Sequence, residues 1–191
     1  MRHAFLFVIL AASMAVPLFA QAPEELQKRF DEAQRQIVRL RPADFKTLPR
    51  NLIQDLERRK CTIPQEAESK PGNNVIRGEF EKRGQMDWAI LCSVDGYSSI
   101  LLFWRGTEDK PAEIARAEDR KFLQGLGGEK IGFSRKISAV GKAFIMRHHR
   151  AFGGRKPPPI DHQGIDDAFV GKASTTHYYY KEKWYQLTGA D

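Results

Sequence analysis

The chain has 191 residues, with 31 Lys and Arg against 24 Asp and Glu for a formal charge of +7, 41% apolar residues and 29% charged ones. These proportions leave room for one globular domain of roughly 100–200 residues. They exclude a collagen-like repeat, a coiled-coil rod, a wholly disordered chain and a polytopic membrane protein.

Taken in chain order, the first segment is a signal for export. Arg2 precedes a short apolar run over 4–12 and small residues up to Ala20, the pattern of a secretory signal peptide over 1–20. Cleavage after Ala20 is preferred. Cleavage after Ala22 fits the small-x-small rule better but leaves Pro23 beside the cut bond. Removing 1–20 takes away Arg2 and no acidic residue, so the mature chain stays basic. A basic protein secreted or delivered to the periplasm meets anionic cell-envelope polymers readily. No second apolar stretch approaches the ~20 residues that span a bilayer.

Leu26, Phe30, Ala33, Ile37 and Leu40 recur at steps of four and three, which predicts an amphipathic helix over 23–41 stopped by Arg41-Pro42. Pro49 suits the first turn of a second helix over 49–60, with Leu52, Ile53 and Leu56 on one face and Arg58, Arg59 and Lys60 at its C-terminal end. Two cysteines, Cys61 and Cys92, make one disulfide in an exported chain and would clip that helix to a strand. Residues 62–73 read as a loop.

Three apolar runs follow, at 74–80, 85–93 and 98–104, separated by Gly-containing turns. They predict an antiparallel meander whose second and third strands are buried on both faces. Residues 109–123 are expected to form a helix closed by Gly125, and 130–137 a strand. Residues 140–152 fit either a strand or a short helix. Lys156-Pro157-Pro158-Pro159 is an extended connector. The Thr- and Tyr-rich run at 172–180 and the run at 184–187 predict a closing hairpin. The expected fold class is α+β, with N-terminal helices packed on a mainly antiparallel sheet and a C-terminal β-hairpin. The mature chain divides into a helical segment over 21–66 and a β-rich part over 67–191, packed as one unit.

Gly78-Glu79-Phe80-Glu81-Lys82-Arg83-Gly84-Gln85-Met86-Asp87-Trp88-Ala89 resembles the strand–loop–strand unit of FG-GAP-like repeats, which often carry a calcium loop. Glu79, Glu81, Gly84 and Asp87 match that loop in kind, but Arg83 stands where a third acidic ligand belongs. The resemblance therefore implies the hairpin without the metal. A wider pattern, over 56–65, 74–78, 87–93, 161–168 and 172–174, resembles a family of exported bacterial proteins with no established activity.

The richest polar cluster is His148-His149 with Asp161, His162, Asp166 and Asp167, and His177 further on. Histidine and carboxylate together suit a divalent metal, so His149, Asp161, His162 and Asp166 define a possible metal-dependent hydrolase. Against it, no His pair lies at i, i+4. The competing reading has Asp161 or Asp166 capping a turn and His162 making structural hydrogen bonds. Asp161, Gln163 and Asp166 fall short of a calcium loop. No serine sits in Gly-x-Ser-x-Gly, although a triad using Ser98, Ser99 or Ser174 would assemble only in space. In the last hairpin Tyr178 and Tyr180 share one face, and with Trp184 they form a candidate aromatic surface for sugars or a protein. Basic-aromatic surfaces also hold single-stranded nucleic acid, but export argues against that partner.

The preferred function is an exported, non-catalytic binding or interaction domain with no cofactor, its partner a cell-envelope polymer or protein. The alternatives are the metal-dependent hydrolase and an inhibitor of an exported enzyme. A basic inhibitor meets a basic lysozyme against charge repulsion, so an acidic target is expected.

Overall fold

The computed structural model describes residues 21–188, so the signal-peptide expectation for 1–20 lies outside the described residues. Helix α1 spans Gln21–Arg35, with strand β1 at Arg39–Leu40 and helix α2 at Arg50–Arg58. Strands β2 (Ile63–Pro64), β3 (Val75–Gly78), β4 (Asp87–Val94), β5 (Tyr97–Phe103) and β6 (Ala112–Glu118) follow. After β7 (Leu123–Gly125), β8 (Ile131–Phe133) and β9 (Arg135–Val140) comes helix α3 (Lys142–Phe152). The last three strands are β10 (Gly164–Phe169), β11 (Ala173–Tyr180) and β12 (Lys183–Thr188). The fold is α+β, with more strand than helix.

Two four-stranded antiparallel sheets, β3-β4-β5-β6 and β12-β11-β10-β9, dominate, and β1-β2 and β7-β8 form two-stranded ladders. Side chains alternate across a strand, and the two faces of β4 and β5 feed different cores. Ala89, Leu91, Ile100 and Leu102 join Ile137 and Ile165 of the other sheet in a central cluster, which also takes Ala33 and Ile37. Ile90, Cys92, Leu101 and Phe103 pack with Leu52 and Leu56 of α2. The expected two-sided burial of these strands is thus present. A third cluster on the outer face of the second sheet joins Val140, Ile160, Tyr178 and Leu187 to Ile145 of α3.

The sheets adjoin along β3 and β9, where Asn74, buried and at φ +68°, bridges them. Its side-chain amide donates to Pro64 O (2.7 Å) and Arg135 O (3.1 Å), and its Oδ1 accepts from Ile137 N–H at 2.9 Å. Cys61 and Cys92 are disulfide-bonded with Cα atoms 5.3 Å apart.

Four local expectations change. The first helix stops at Arg35, and Arg39–Leu40 pairs with Ile63–Pro64 as a strand, where Gln65 N–H donates to Val38 O at 2.8 Å and Arg39 makes an ion pair with buried Asp119 at 2.9 Å. The expected strand over 130–137 is two strands meeting at Ser134. The expected helix over 109–123 is strand β6 and a short 3-10 turn at Asp119–Phe122. Its Ala, Glu and Arg content favours helix locally, but pairing with β5 decides the outcome, as context often does for strands. A bulge at Ala115 (φ +55°) breaks the alternation that would have marked a strand. Finally, Asp166, offered with Asp161 as the cap of a turn, lies inside strand β10.

Candidate functional site

The site forms where α3 lies over the outer face of β10 and β11. A tight turn at Val170-Gly171-Lys172 joins the two strands, with Gly171 at φ +79°. Lys172 N–H closes it onto Phe169 O at 2.9 Å, and Val170 N–H anchors it to Ser134 O at 2.8 Å. Asp166 and Ala168 share the outer face, opposite Thr176 and Ser174 respectively. Along α3, Phe144, His148 and Phe152 follow at four-residue steps. The His148 ring sits between the other two, with centroids 5.5 and 5.0 Å away.

Between the C-terminal end of α3 and the turn is a cleft of about 370 Å³, walled by His148, Phe152, Phe169 and Lys172 with Asp166 and Ser174 among its lining. Ser174 Oγ lies 3.4 Å from His148 Nε2. Asp166 is only 9% exposed and its Oδ1 is buried without a hydrogen-bond partner, as is Oγ1 of neighbouring Thr176. Burial pushes the Asp166 carboxyl above its ordinary value. The neighbouring Ser174 hydroxyl and the nearby His148 offset part of that effect. The Lys172 ammonium rests 4.4 Å from the centre of the Phe169 ring, and Phe152 is 54% exposed. Aromatic walls with a few convergent polar groups are what a small-ligand pocket needs.

Asp167, the next residue, faces the opposite way. Arg135, almost fully buried, gives it two hydrogen bonds, Nε to Oδ1 at 2.9 Å and Nη2 to Oδ2 at 2.8 Å. Burial alone would raise the Asp167 carboxyl, but the two hydrogen bonds from Arg135, with His177 Nε2 3.8 Å away, hold it below its ordinary value. Asp167 is therefore an internal structural partner and no part of the cleft.

The other sequence candidates separate. His149 Nδ1 lies 3.0 Å from Gly153 O, at the C-terminus of its own helix. His162 stacks on Tyr178 with ring centroids 4.4 Å apart, and its Nδ1 lies 2.9 Å from Gln163 O. Tyr178 OH donates to Asp161 Oδ1 at 3.1 Å and accepts from Asp161 N–H at 3.2 Å. Asp161 and His162 thus meet around Tyr178, with His162 Nε2 3.8 Å from Asp161 Oδ1, while His149 turns to its own helix end and Asp166 lines the cleft. Among the described residues no group of three or more His, Cys, Asp or Glu side chains is placed to hold a metal ion.

The aromatic trio is corrected too. Tyr178 is fully buried in the outer cluster, while Trp184 lies opposite Tyr179 on the other face and stacks on Trp104 at 6.1 Å. Tyr180 stays half-buried beside Tyr185. Sequence reasoning singled out His149 where the structure uses His148. The signal that separates them is the helical step linking Phe144, His148 and Phe152, which the open choice between strand and helix over 140–152 concealed.

In the hairpin, Asp87 is fully buried. Its Oδ2 accepts from Phe80 and Glu81 N–H, and its Oδ1 from Gln85 Nε2 and Arg105 N–H. The carboxylate is thus spent on the loop. The loop also docks on the segment before β10: Gln163 N–H donates to Glu79 O at 2.9 Å and Gln163 Oε1 accepts from Glu79 N–H at 3.0 Å. No helix among the described residues is long and apolar enough to cross a membrane. No protein-family model, curated protein or solved structure matches the chain.

Proposed function

We propose that this chain is an exported binding domain that engages a cell-envelope polymer or protein through the cleft between α3 and the β10–β11 turn. Residues 1–20 direct export, and the mature helices pack with the sheets as one unit. The hairpin over 78–89 is kin in shape to FG-GAP-like units, with Asp87 serving the loop. The observation that carries the reading is Asp166, a nearly buried carboxyl with one unpartnered oxygen in the lining of a cleft. Leaving such a group unpaired costs the fold about 1–3 kcal/mol. A binding role explains its retention, and the exposed Phe152 ring supplies an apolar contact beside it.

The test is co-sedimentation of the mature protein with purified bacterial sacculi. The protein should pellet, and Phe152→Ala and Asp166→Asn should weaken binding about tenfold or more, the scale of an interface hot spot. The exposed Lys60→Ala change should leave it unaltered. A protein that stays in the supernatant, or variants that pellet like the parent, refutes the envelope-polymer reading. One observation favours a second reading: Ser174 Oγ and His148 Nε2 stand 3.4 Å apart, a loose version of the spacing of a nucleophile and its base. Turnover of p-nitrophenyl acetate that is lost in Ser174→Ala would replace binding by acyl hydrolysis.

A further inference from the structure

On the opposite side of the molecule, α2 covers only part of the outer face of β4–β6. Beyond its end lies a second cleft of about 360 Å³, lined by Arg59, Arg116, Tyr97, Ser99, Glu113 and Cys92 of the disulfide. We propose that this cleft binds an oxyanion of the phosphate type. The inference does not depend on the α3 cleft.

Both guanidinium groups are held in place while keeping donors free. Arg59 is fixed through Nε, which donates to Asp55 Oδ2 at 2.6 Å, leaving both terminal nitrogens of its fork. Asp55 is paired in addition with Arg58, so it does not cancel the charge of Arg59. Arg116 lies over Tyr97, its guanidinium carbon 4.7 Å from the ring centre, and makes no ion pair among the described residues. No side-chain N–H of Arg116 donates to a protein acceptor among the described residues, so its donors remain available. Ser99, 7% exposed, contributes to the same lining and has a hydroxyl that bonds either way. Two pre-positioned forks and a hydroxyl supply more donors than a single carboxylate needs, and they match a tetrahedral oxyanion. Glu113 opposes an anion, and this gives the site a test of opposite sign.

Disulfide-intact mature protein is titrated with inorganic phosphate at low ionic strength and followed by two-dimensional NMR, with chloride as control. A parallel arm measures binding to phosphatidylcholine vesicles with and without phosphatidic acid. The expected result is saturable phosphate-induced shifts centred on Cys92 and Ser99. Arg59→Gln and Arg116→Gln should each weaken binding about tenfold or more, the loss of one charge-assisted hydrogen bond. Glu113→Gln should tighten it, and Arg155→Gln should leave it unchanged. Binding confined to phosphatidic acid vesicles, with the same variant pattern, identifies a lipid headgroup as the source of the oxyanion. Absence of binding in both arms, shifts that chloride reproduces, or Glu113→Gln failing to tighten binding overturns the proposal. The last criterion stands even if an arginine variant fails to fold.

Discussion

Asp166 shows how one side chain records a balance between folding and binding. It sits beneath α3 with Thr176 across the strand, and both carry an oxygen without a partner. Burial raises its carboxyl above the ordinary value, so in the folded chain it ionises at higher pH than in the unfolded chain. As pH rises from acid, the unfolded chain loses this proton first. Stability therefore falls across the window between the two values and stays lowered above it. Asp166→Asn removes the charge and keeps the shape. Its thermal midpoint should exceed the parent's at pH 7, with the advantage shrinking as pH falls from the raised value to the ordinary carboxylate value. Calorimetry at pH 7 and pH 3.5 reads both. An equal change of stability at the two pH values would mean that burial does not raise the Asp166 carboxyl.

Among the elements, α2 and β4 are joined twice. The disulfide closes a separation of 31 residues. Beside it, Thr62 and Ser93 exchange backbone hydrogen bonds at 3.0 and 2.8 Å. On the chain-entropy model a loop of this length contributes roughly 3–4 kcal/mol. The Cys61→Ser/Cys92→Ser protein should lose that much in urea unfolding. A loss below about 1 kcal/mol would mean that Leu52, Leu56 and the Thr62–Ser93 bridge hold α2 by themselves, with little loop-closure gain. This junction was legible in the sequence because an even cysteine count, a basic helix end and an apolar run each carry a local signature. The β3–β5 meander and the β11–β12 hairpin were legible for the same reason. β6 was not, since its residues prefer helix and the Ala115 bulge hides its period. β10 was not, since Asp166 read as the cap of a turn, and Asp167 fits a buried strand position only through Arg135, 32 positions earlier. The cleft inherited both losses: Asp166 and His148 stood in one polar cluster, but without β10 and α3 Ser174 could not be joined to them.

At the scale of the whole molecule, Arg135 is a cross-tie between the two large sheets. From β9 it binds Asp167 on β10 through two hydrogen bonds. It also reaches across to Ser98 O and Oγ on β5 (3.0 and 2.9 Å) and to Ala115 O on β6 (2.6 Å). The Ala115 bulge that obscured β6 in the sequence thus has a use, since its carbonyl accepts from Arg135. Breaking a buried pair from one side leaves a charge uncompensated, at a cost of about 3–5 kcal/mol, whereas replacing both partners by apolar groups can be neutral. Arg135→Met should therefore be strongly destabilised in urea, and Arg135→Met/Asp167→Leu should recover part of the loss. The pH dependence separates the charge from the geometry. Asp167 is held below its ordinary value, so its contribution is complete above the unfolded carboxylate value and is lost as pH falls through the folded one. In the parent, acidification should remove this stability, and in the double variant that part of the acid sensitivity should disappear. If the double variant is no more stable than Arg135→Met, the tie is carried by the bonds to Ser98 and Ala115. The sheets would then be joined by Arg135 as a donor to backbone and hydroxyl rather than as the partner of a carboxylate.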